Sequence, residues 1–260
     1  MNRTPTAGLC ALAAAGLLLL TTGPATAAPA LNSAAAPGGN FDLSHWQLQL
    51  PIGSPGNPTE IAPAKLVGAN GFQDAYFYTD KTDGSMTFWS PENGVHFSGS
   101  NYARSELREM NTDNSPKYWK LTGTHKLNAT VAVTKVPKSV CVGQIHLDPD
   151  SGSTKPLLEL YYHSNGDIVV AIENSPSGGQ TPQTVANVPL GQKWSYAITE
   201  TGGKTITVSI NGAAAKSFTV PSSFASYPMY FKAGDYNQSS SSSSTVGALV
   251  HFYALAFSHS

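Results

Sequence analysis

Arg104-Ser105-Glu106-Leu107-Arg108 alternates charged side chains with Ser105 and Leu107, the pattern of a β-strand with one wet face and one dry face. Side chains along a strand alternate with period 2, so Arg104, Glu106 and Arg108 share a side. The chain has one other arginine, Arg3, near its start. A protein that uses arginine so rarely has set two on one face with a carboxylate between them. The guanidinium is a planar fork that matches a carboxylate bidentately. This face predicts a groove that grips an anionic substrate.

Outward from that stretch, turn signals bracket many short runs of the same kind. Asp83-Gly84, Asn93-Gly94, Asn165-Gly166, Gly202-Gly203 and Asn211-Gly212 are hairpin-type dipeptides. Tyr76-Phe77-Tyr78, Met86-Thr87-Phe88-Trp89, Ile168-Val169-Val170-Ala171-Ile172, Thr205 to Ile210 and Val250 to Phe257 are rich in aromatic and β-branched residues, as strands are. Leu127, Ala129, Val131 and Val133 alternate with polar or small residues. No long amphipathic helix is evident, and Ala62 to Leu66 predicts one short turn. Such a chain is all-β, a sandwich or a barrel. The jelly-roll β-sandwich is the version that offers an open substrate cleft on one concave sheet. The serine run Ser239 to Ser244 is expected to be a flexible surface loop.

Residues 1–27 read as a secretory signal peptide, which predicts an extracellular protein. Arg3 supplies the positive end, Ala7 to Leu20 the apolar run, and Ala25-Thr26-Ala27 the small-residue cleavage site. The run is short of the roughly 20 residues of a membrane span. Residues 28–39 are expected to be a disordered lead-in. Residues 40–260 are long enough for one β domain with a real core. Of the two cysteines, Cys10 leaves with the signal, so Cys141 has no internal partner and is expected in the core. Lys and Arg number 15 against 16 Asp and Glu, a formal net charge of -1. With so little net charge, a protein that binds a polyanion must gather its positive groups locally. No basic stripe or tail points to nucleic acid. No Asp/His cluster points to a metal, and no cofactor is expected. A monomer without a membrane partner is expected.

Two further segments show polar faces. In Val140-Cys141-Val142-Gly143-Gln144-Ile145-His146-Leu147, alternation puts Gln144 beside His146 and turns Cys141, Gly143, Ile145 and Leu147 the other way. In Tyr230-Phe231-Lys232-Ala233-Gly234-Asp235-Tyr236-Asn237-Gln238, it puts Tyr230, Lys232, Gly234, Tyr236 and Gln238 on one side. Gly234 then leaves room for a ligand to reach the backbone. That side reads hydroxyl, ammonium, gap, hydroxyl, amide, a surface suited to a charged sugar. Each segment also has a plainer reading, since charges at period 2 are ordinarily the wet face of a strand. By spacing alone the three support an anion-binding β-sandwich.

Together, Arg104-Ser105-Glu106-Leu107-Arg108, Gln144-Ile145-His146 and the nine residues from Tyr230 to Gln238 closely resemble, in order and separation, the three signature motifs of polysaccharide lyase family 7, the alginate lyases. Phe41-Asp42-Leu43-Ser44-His45-Trp46-Gln47-Leu48-Gln49-Leu50-Pro51 also resembles the start of such a domain. The resemblance implies a jelly roll that cleaves alginate, a polymer of mannuronate and guluronate. It implies Arg104, Gln144, His146 and Tyr236 as catalytic residues. It further implies a groove lined by Glu106, Arg108, Lys232 and Gln238, beside which Tyr230 is expected to bind substrate. Isoleucine between Gln and His is associated in the family with guluronate-containing blocks, although Ile145 should point away from the groove.

A uronate polymer can be cut by β-elimination, in which a base takes the C5 proton and the C4–O4 bond breaks. The obstacle is the weak acidity of a carbon next to an ionised carboxylate. Arg104 and Gln144 are suited to neutralising that carboxylate. His146 is suited to donating to it or acting as base, and Tyr236 to protonating O4. A free phenol titrates near 10, and Lys232 and the arginines are expected to favour its phenolate form. Three alternatives stand beside this reading. They are a lyase for another polyuronate, a non-catalytic carbohydrate-binding sandwich, and a glycoside hydrolase, which needs two carboxylates flanking the bond.

Overall fold

The structure, a computed structural model, describes Met1 and residues 30–260. Apart from Met1, the signal segment expected over residues 1–27 lies outside the described residues. Between Leu31 and Ser260 the chain forms one unit. Its strands are β1 (Trp46–Ser54), β2 (Asn57–Ile61), β3 (Phe77–Thr79), β4 (Met86–Pro91), β5 (Arg104–Glu109), β6 (Thr124–Lys135), β7 (Ser139–Leu147), β8 (Pro156–His163), β9 (Asp167–Glu173), β10 (Gln180–Asn187), β11 (Trp194–Thr201), β12 (Thr205–Ile210), β13 (Lys216–Thr219), β14 (Met229–Asn237) and β15 (Gly247–His259). One short helix, α1 (Pro63–Leu66), falls where the single turn was expected. No helix among the described residues is long and apolar enough to cross a membrane.

The strands form two antiparallel sheets, a jelly-roll sandwich as expected. The larger runs β10-β9-β8-β7-β14-β5-β1-β2, and the smaller runs β13-β12-β11-β6-β15-β4-β3. Strands far apart in sequence therefore become neighbours, and the three polar motifs lie side by side on β7, β14 and β5. The core fills the space between the sheets. Phe77, Phe88 and Phe252 pack ring to ring at 5.1 and 5.3 Å, with Trp46, Trp194 and Phe231 buried in the same core.

Most of the turn dipeptides close hairpins. Asn211 and Gly212 both take positive φ, 53° and 69°, between β12 and β13, as a tight hairpin of right-handed twist requires. Asn93-Gly94 differs, because it leaves β4 in the small sheet for β5 in the large one. Two further expectations are corrected. Residues 31–39 are ordered, not a loose lead-in. Pro37–Gly39 forms a 3-10 turn, Ala36 N donates to Ala69 O at 2.8 Å, and Ala35 and Ala36 are buried. Their small side chains let the segment lie directly against 66–69; a Cβ on Gly38 would sit 1.8 Å from Leu66 O. The serine run is also tied down. Ser241 Oγ donates to Glu92 Oε2 at 2.5 Å, and Asn93 N donates to Ser243 O at 3.1 Å.

Truncating the middle ring of the aromatic row tests the packing. Phe88→Ala should cost about 3–5 kcal/mol of unfolding free energy, the usual loss for a buried aromatic, as measured by urea denaturation. A loss near zero would mean that the sheets do not meet there.

Candidate active site

Strand register assembles the site. Lys232 on β14 lies opposite Arg108 on β5 and Gln144 on β7, while Tyr236 lies opposite Arg104 and Tyr230 opposite His146. Glu159 on β8 extends the row past Gln144. Arg104, Gln144, His146, Tyr236 and Gln238 line one cavity of about 360 Å³. A second, of about 300 Å³, adjoins it and is lined by Arg104, Arg108, His146, Tyr230 and Lys232. Eight of the nine expected site residues thus border one groove.

Glu106 is the exception, because it is fully buried and does not border the groove. Its carboxylate accepts from Arg104 Nη1 at 3.2 Å, Lys232 Nζ at 2.5 Å and Gln144 Nε2 at 2.5 Å. It lies beneath the groove and aims the donors above it. Lys232 also donates to Gln49 Oε1 at 2.9 Å, and Gln49 in turn donates to Glu60 at 2.9 Å. Burial, together with the positive charge of Arg104, depresses the Lys232 ammonium to about 8 despite the nearby carboxylate.

Two backbone irregularities alter the faces read by simple alternation. Cys141 pairs with Tyr161 and Gly143 with Leu160, so Val142 is an extra residue on β7. Such a bulge resets the alternation. Cys141 therefore lies in register between Tyr161 and Tyr236, while Val140, Val142, Ile145 and Leu147 enter the core. Cys141 is buried as expected, but in the layer under the groove. Gly234, expected to make room for a ligand, makes room for β5. Its φ is 148°, and a Cβ there would lie 2.8 Å from both Glu106 Cα and Ser105 O.

The reactive groups sit in contrasting surroundings. His146 Nδ1 lies 2.9 Å from Leu147 O. A carbonyl only accepts, so Nδ1 holds the proton and Nε2 of the neutral ring keeps its lone pair. Burial, followed by the charges of Lys232, Arg104 and Arg108, drives His146 down to about 3. Tyr236 packs its ring under Arg104, with Cζ 3.8 Å from the ring centre. Burial raises the phenol above its ordinary value, outweighing the opposing effects of Arg104 and the hydrogen bond with Ser100. Lys232, expected to help form phenolate, is instead directed at Glu106 and Gln49. Arg108 lies between two aromatic rings, 4.2 Å from the centre of Tyr230 and 5.1 Å from that of Tyr118.

Sequence reading missed the groove's walls. Gly99, Ser100 and Thr154 line both cavities, and Pro149 and Tyr102 each line one. Loop residues have no period to betray them. Farther along, Glu159 accepts from Tyr161 Oη at 2.5 Å and from Gln180, and burial raises its carboxyl above the usual range. The alternation of Glu159 with Tyr161 was the available signal. Among the described residues no group of His, Cys, Asp and Glu could hold a metal ion.

Two measurements probe this arrangement. Glu106→Gln removes the counter-charge from two buried cations and should destabilise the fold by about 3–5 kcal/mol, read by thermal or urea unfolding at neutral pH. His146 is held neutral in the fold, whereas the unfolded chain protonates it near 6.5. Below 6.5 the unfolded state therefore binds more protons, and stability falls as pH drops from 6.5 toward 3. His146→Gln should remove up to one proton from that dependence, a slope of about 1.4 kcal/mol per pH unit. An unchanged slope would contradict the neutral ring.

Comparison with known proteins matches this architecture. The family model described as alginate lyase covers residues 41–259. The chain is 29% identical to an alginate lyase of Klebsiella pneumoniae, over 89% of this chain and 94% of that protein. It superposes on the crystal structure of alginate lyase A1-II', a member of polysaccharide lyase family 7, with a TM-score of 0.77 and 37% identity, covering 87% of this chain and 99% of that one. An alginate lyase of Pseudomonas aeruginosa gives a TM-score of 0.77 at 32% identity, with 85% and 100% coverage. With the groove, the three adjoining motif strands and a family match over residues 41–259, this protein belongs to polysaccharide lyase family 7, the alginate lyases.

Proposed function

We propose that the chain cleaves alginate by β-elimination, with Arg104, Gln144, His146 and Tyr236 acting on a single uronate, and that it does so outside the cell as a monomer. The supporting observation is that these four side chains line one cavity. Arg104 and Gln144 bind the uronate carboxylate and stabilise the charge that grows on it as the C5 proton leaves. Both are pre-aimed by Glu106, so little reorganisation accompanies that step.

Base and acid follow from protonation state. His146 is neutral with a free Nε2, which fits a base that removes the C5 proton. The electrons of the C5–H bond become the C4–C5 double bond. The C4–O4 pair leaves on O4, which takes the proton of Tyr236. Burial keeps that phenol protonated, as an acid must be. Mannuronate and guluronate are C5 epimers, and their C5 protons leave from opposite faces. For the epimer whose proton faces Tyr236, the phenol must first give its proton to solvent, a step its raised titration opposes, before the phenolate takes the C5 proton and passes it to O4. For the other epimer His146 is the base.

Guluronate-containing blocks are the proposed preference. Ile145 stands between Gln144 and His146, and alginate lyase A1-II' has been crystallised with product GGG and with substrate GGMG. The substrate complex was obtained with a variant in which a histidine and a tyrosine are replaced.

Tyr236→Phe should abolish the ultraviolet absorbance of unsaturated uronate ends while alginate binding survives. Turnover like that of the wild type in this variant would rule out the acid assignment. Parallel digests of polyguluronate, polymannuronate and polyglucuronate, followed by absorbance and product size, test the substrate. Faster product formation from polyglucuronate would favour a lyase for another polyuronate, and binding without any absorbance would favour a carbohydrate-binding sandwich.

A further inference from the structure

Ser100 stands in the loop between β4 and β5 and belongs to none of the three motifs. Its hydroxyl is nevertheless where the groove's reactive groups meet. Ser100 Oγ is 3.0 Å from Tyr236 Oη and accepts from Arg104 Nη2 at 3.1 Å. It also lies 3.2 Å from Tyr102 O and 3.4 Å from Tyr102 N.

A serine hydroxyl offers one hydrogen and two lone pairs, so these four contacts cannot all be satisfied at once. Two complete arrangements exist. With Tyr236 protonated, the phenol and Arg104 donate to the two lone pairs, and the Ser100 hydrogen goes to Tyr102 O. With Tyr236 ionised, the phenolate has no hydrogen to give. The Ser100 O–H then turns from Tyr102 O to Tyr236 Oη, and its lone pairs take Arg104 Nη2 and Tyr102 N. Only one O–H rotates between the two. In the second arrangement the Arg104 guanidinium polarises the hydroxyl that donates to the phenolate, and a hydrogen bond to a charged group is the stronger kind.

We propose that Ser100 is a positioning residue for Tyr236, accepting from the phenol in the resting groove and donating to the phenolate once its proton has moved to O4. This rests on the assignment of Tyr236 as the proton donor and adds to it a switching partner outside the motifs. Tyr236 is half-buried, and its other surroundings offer little relief to a negative charge. Arg104 lies on the ring face, whereas Glu106 on β5 and Glu159 on β8 both oppose ionisation. Cys141 on β7 and Arg104 on β5 are its register neighbours, and Tyr102 lies 6.5 Å away, ring to ring. His146 and Tyr161 line the same cavity. Ser100 is the neutral hydroxyl in direct contact with the phenol oxygen.

The test compares Ser100→Ala, Ser100→Thr and Tyr236→Phe in the full-length enzyme. Turnover is followed by ultraviolet absorbance, and phenol titration by carbon NMR of ζ-labelled tyrosine, with the Tyr236 signal assigned by its loss in Tyr236→Phe. Losing a hydrogen bond to a charged group predicts that Ser100→Ala lowers kcat about ten- to hundred-fold and raises the Tyr236 titration by about one to two pH units, with KM within about two-fold. Ser100→Thr keeps the hydroxyl and should restore both. A Ser100→Ala enzyme with the turnover and Tyr236 titration of the wild type, beside an inactive Tyr236→Phe, overturns the role of Ser100 alone. Equal damage in Ser100→Ala and Ser100→Thr with no movement of the titration also overturns it, since that is the mark of a disturbed loop. An active Tyr236→Phe would instead remove the underlying assignment.

Discussion

The groove is organised around one buried carboxylate. Glu106 has no exposure to solvent, and it is held by an arginine, a lysine and an amide from three adjacent strands. A buried charge is tolerable only when its lone pairs are filled. The need to fill them fixes where Arg104, Gln144 and Lys232 can be. The carboxylate thereby presents a polyanion with donors already turned toward it, while its own charge is consumed below the surface. Arg104, Arg108 and Lys232 would repel one another without it, and the net charge of the chain gives no hint that they are gathered.

Burial then assigns the proton positions. The desolvation that lowers His146 also raises Tyr236, because in each case the charged form is penalised. One environment thus produces a neutral imidazole and a neutral phenol on the lining of one cavity. Neighbouring cations add to the effect on the histidine and oppose it on the tyrosine. The direction of each shift follows from which effect is larger, and for both residues burial comes first.

Strand β5 serves both sides of its sheet. Glu106 organises the groove, and Glu109, three residues on, is buried at an end of the sandwich. There it accepts from Trp119 Nε1 at 3.0 Å and Phe231 N at 2.9 Å and meets His259 Nε2 at 2.7 Å. His259 lies on β15 of the small sheet, so this second carboxylate couples the two layers. Distortion of β5 would loosen the groove and the sandwich together, which is why Gly234 on the neighbouring strand must allow so close an approach.

Much of this was legible in residue order. Alternation and residue type identified nine of the fifteen strands but not β1, β2, β8, β10, β11 or β13. Glycine dipeptides marked most of the hairpins, and the polar faces of three segments named eight residues that border the groove, because period 2 is a property of the backbone that any strand obeys. Family resemblance then supplied the proposed chemistry. What alternation could not give was depth, since it places Glu106, Arg104 and Arg108 on one face but does not say which is sealed beneath the others. A bulge at Val142 is invisible in the letters, yet it moves Cys141 from the expected core to the layer under the groove. Small residues at 31–39 looked structureless because composition does not show the surface they pack against. Nor does the sequence announce that Ser100, in an aperiodic loop, meets the hydroxyl of Tyr236. Sequence alone determined which chemical groups line up along each strand, a local consequence of backbone geometry. Only the tertiary structure decided which strands are neighbours and which groups are dry, because those depend on contacts between residues far apart in the chain, such as Glu106 with Lys232.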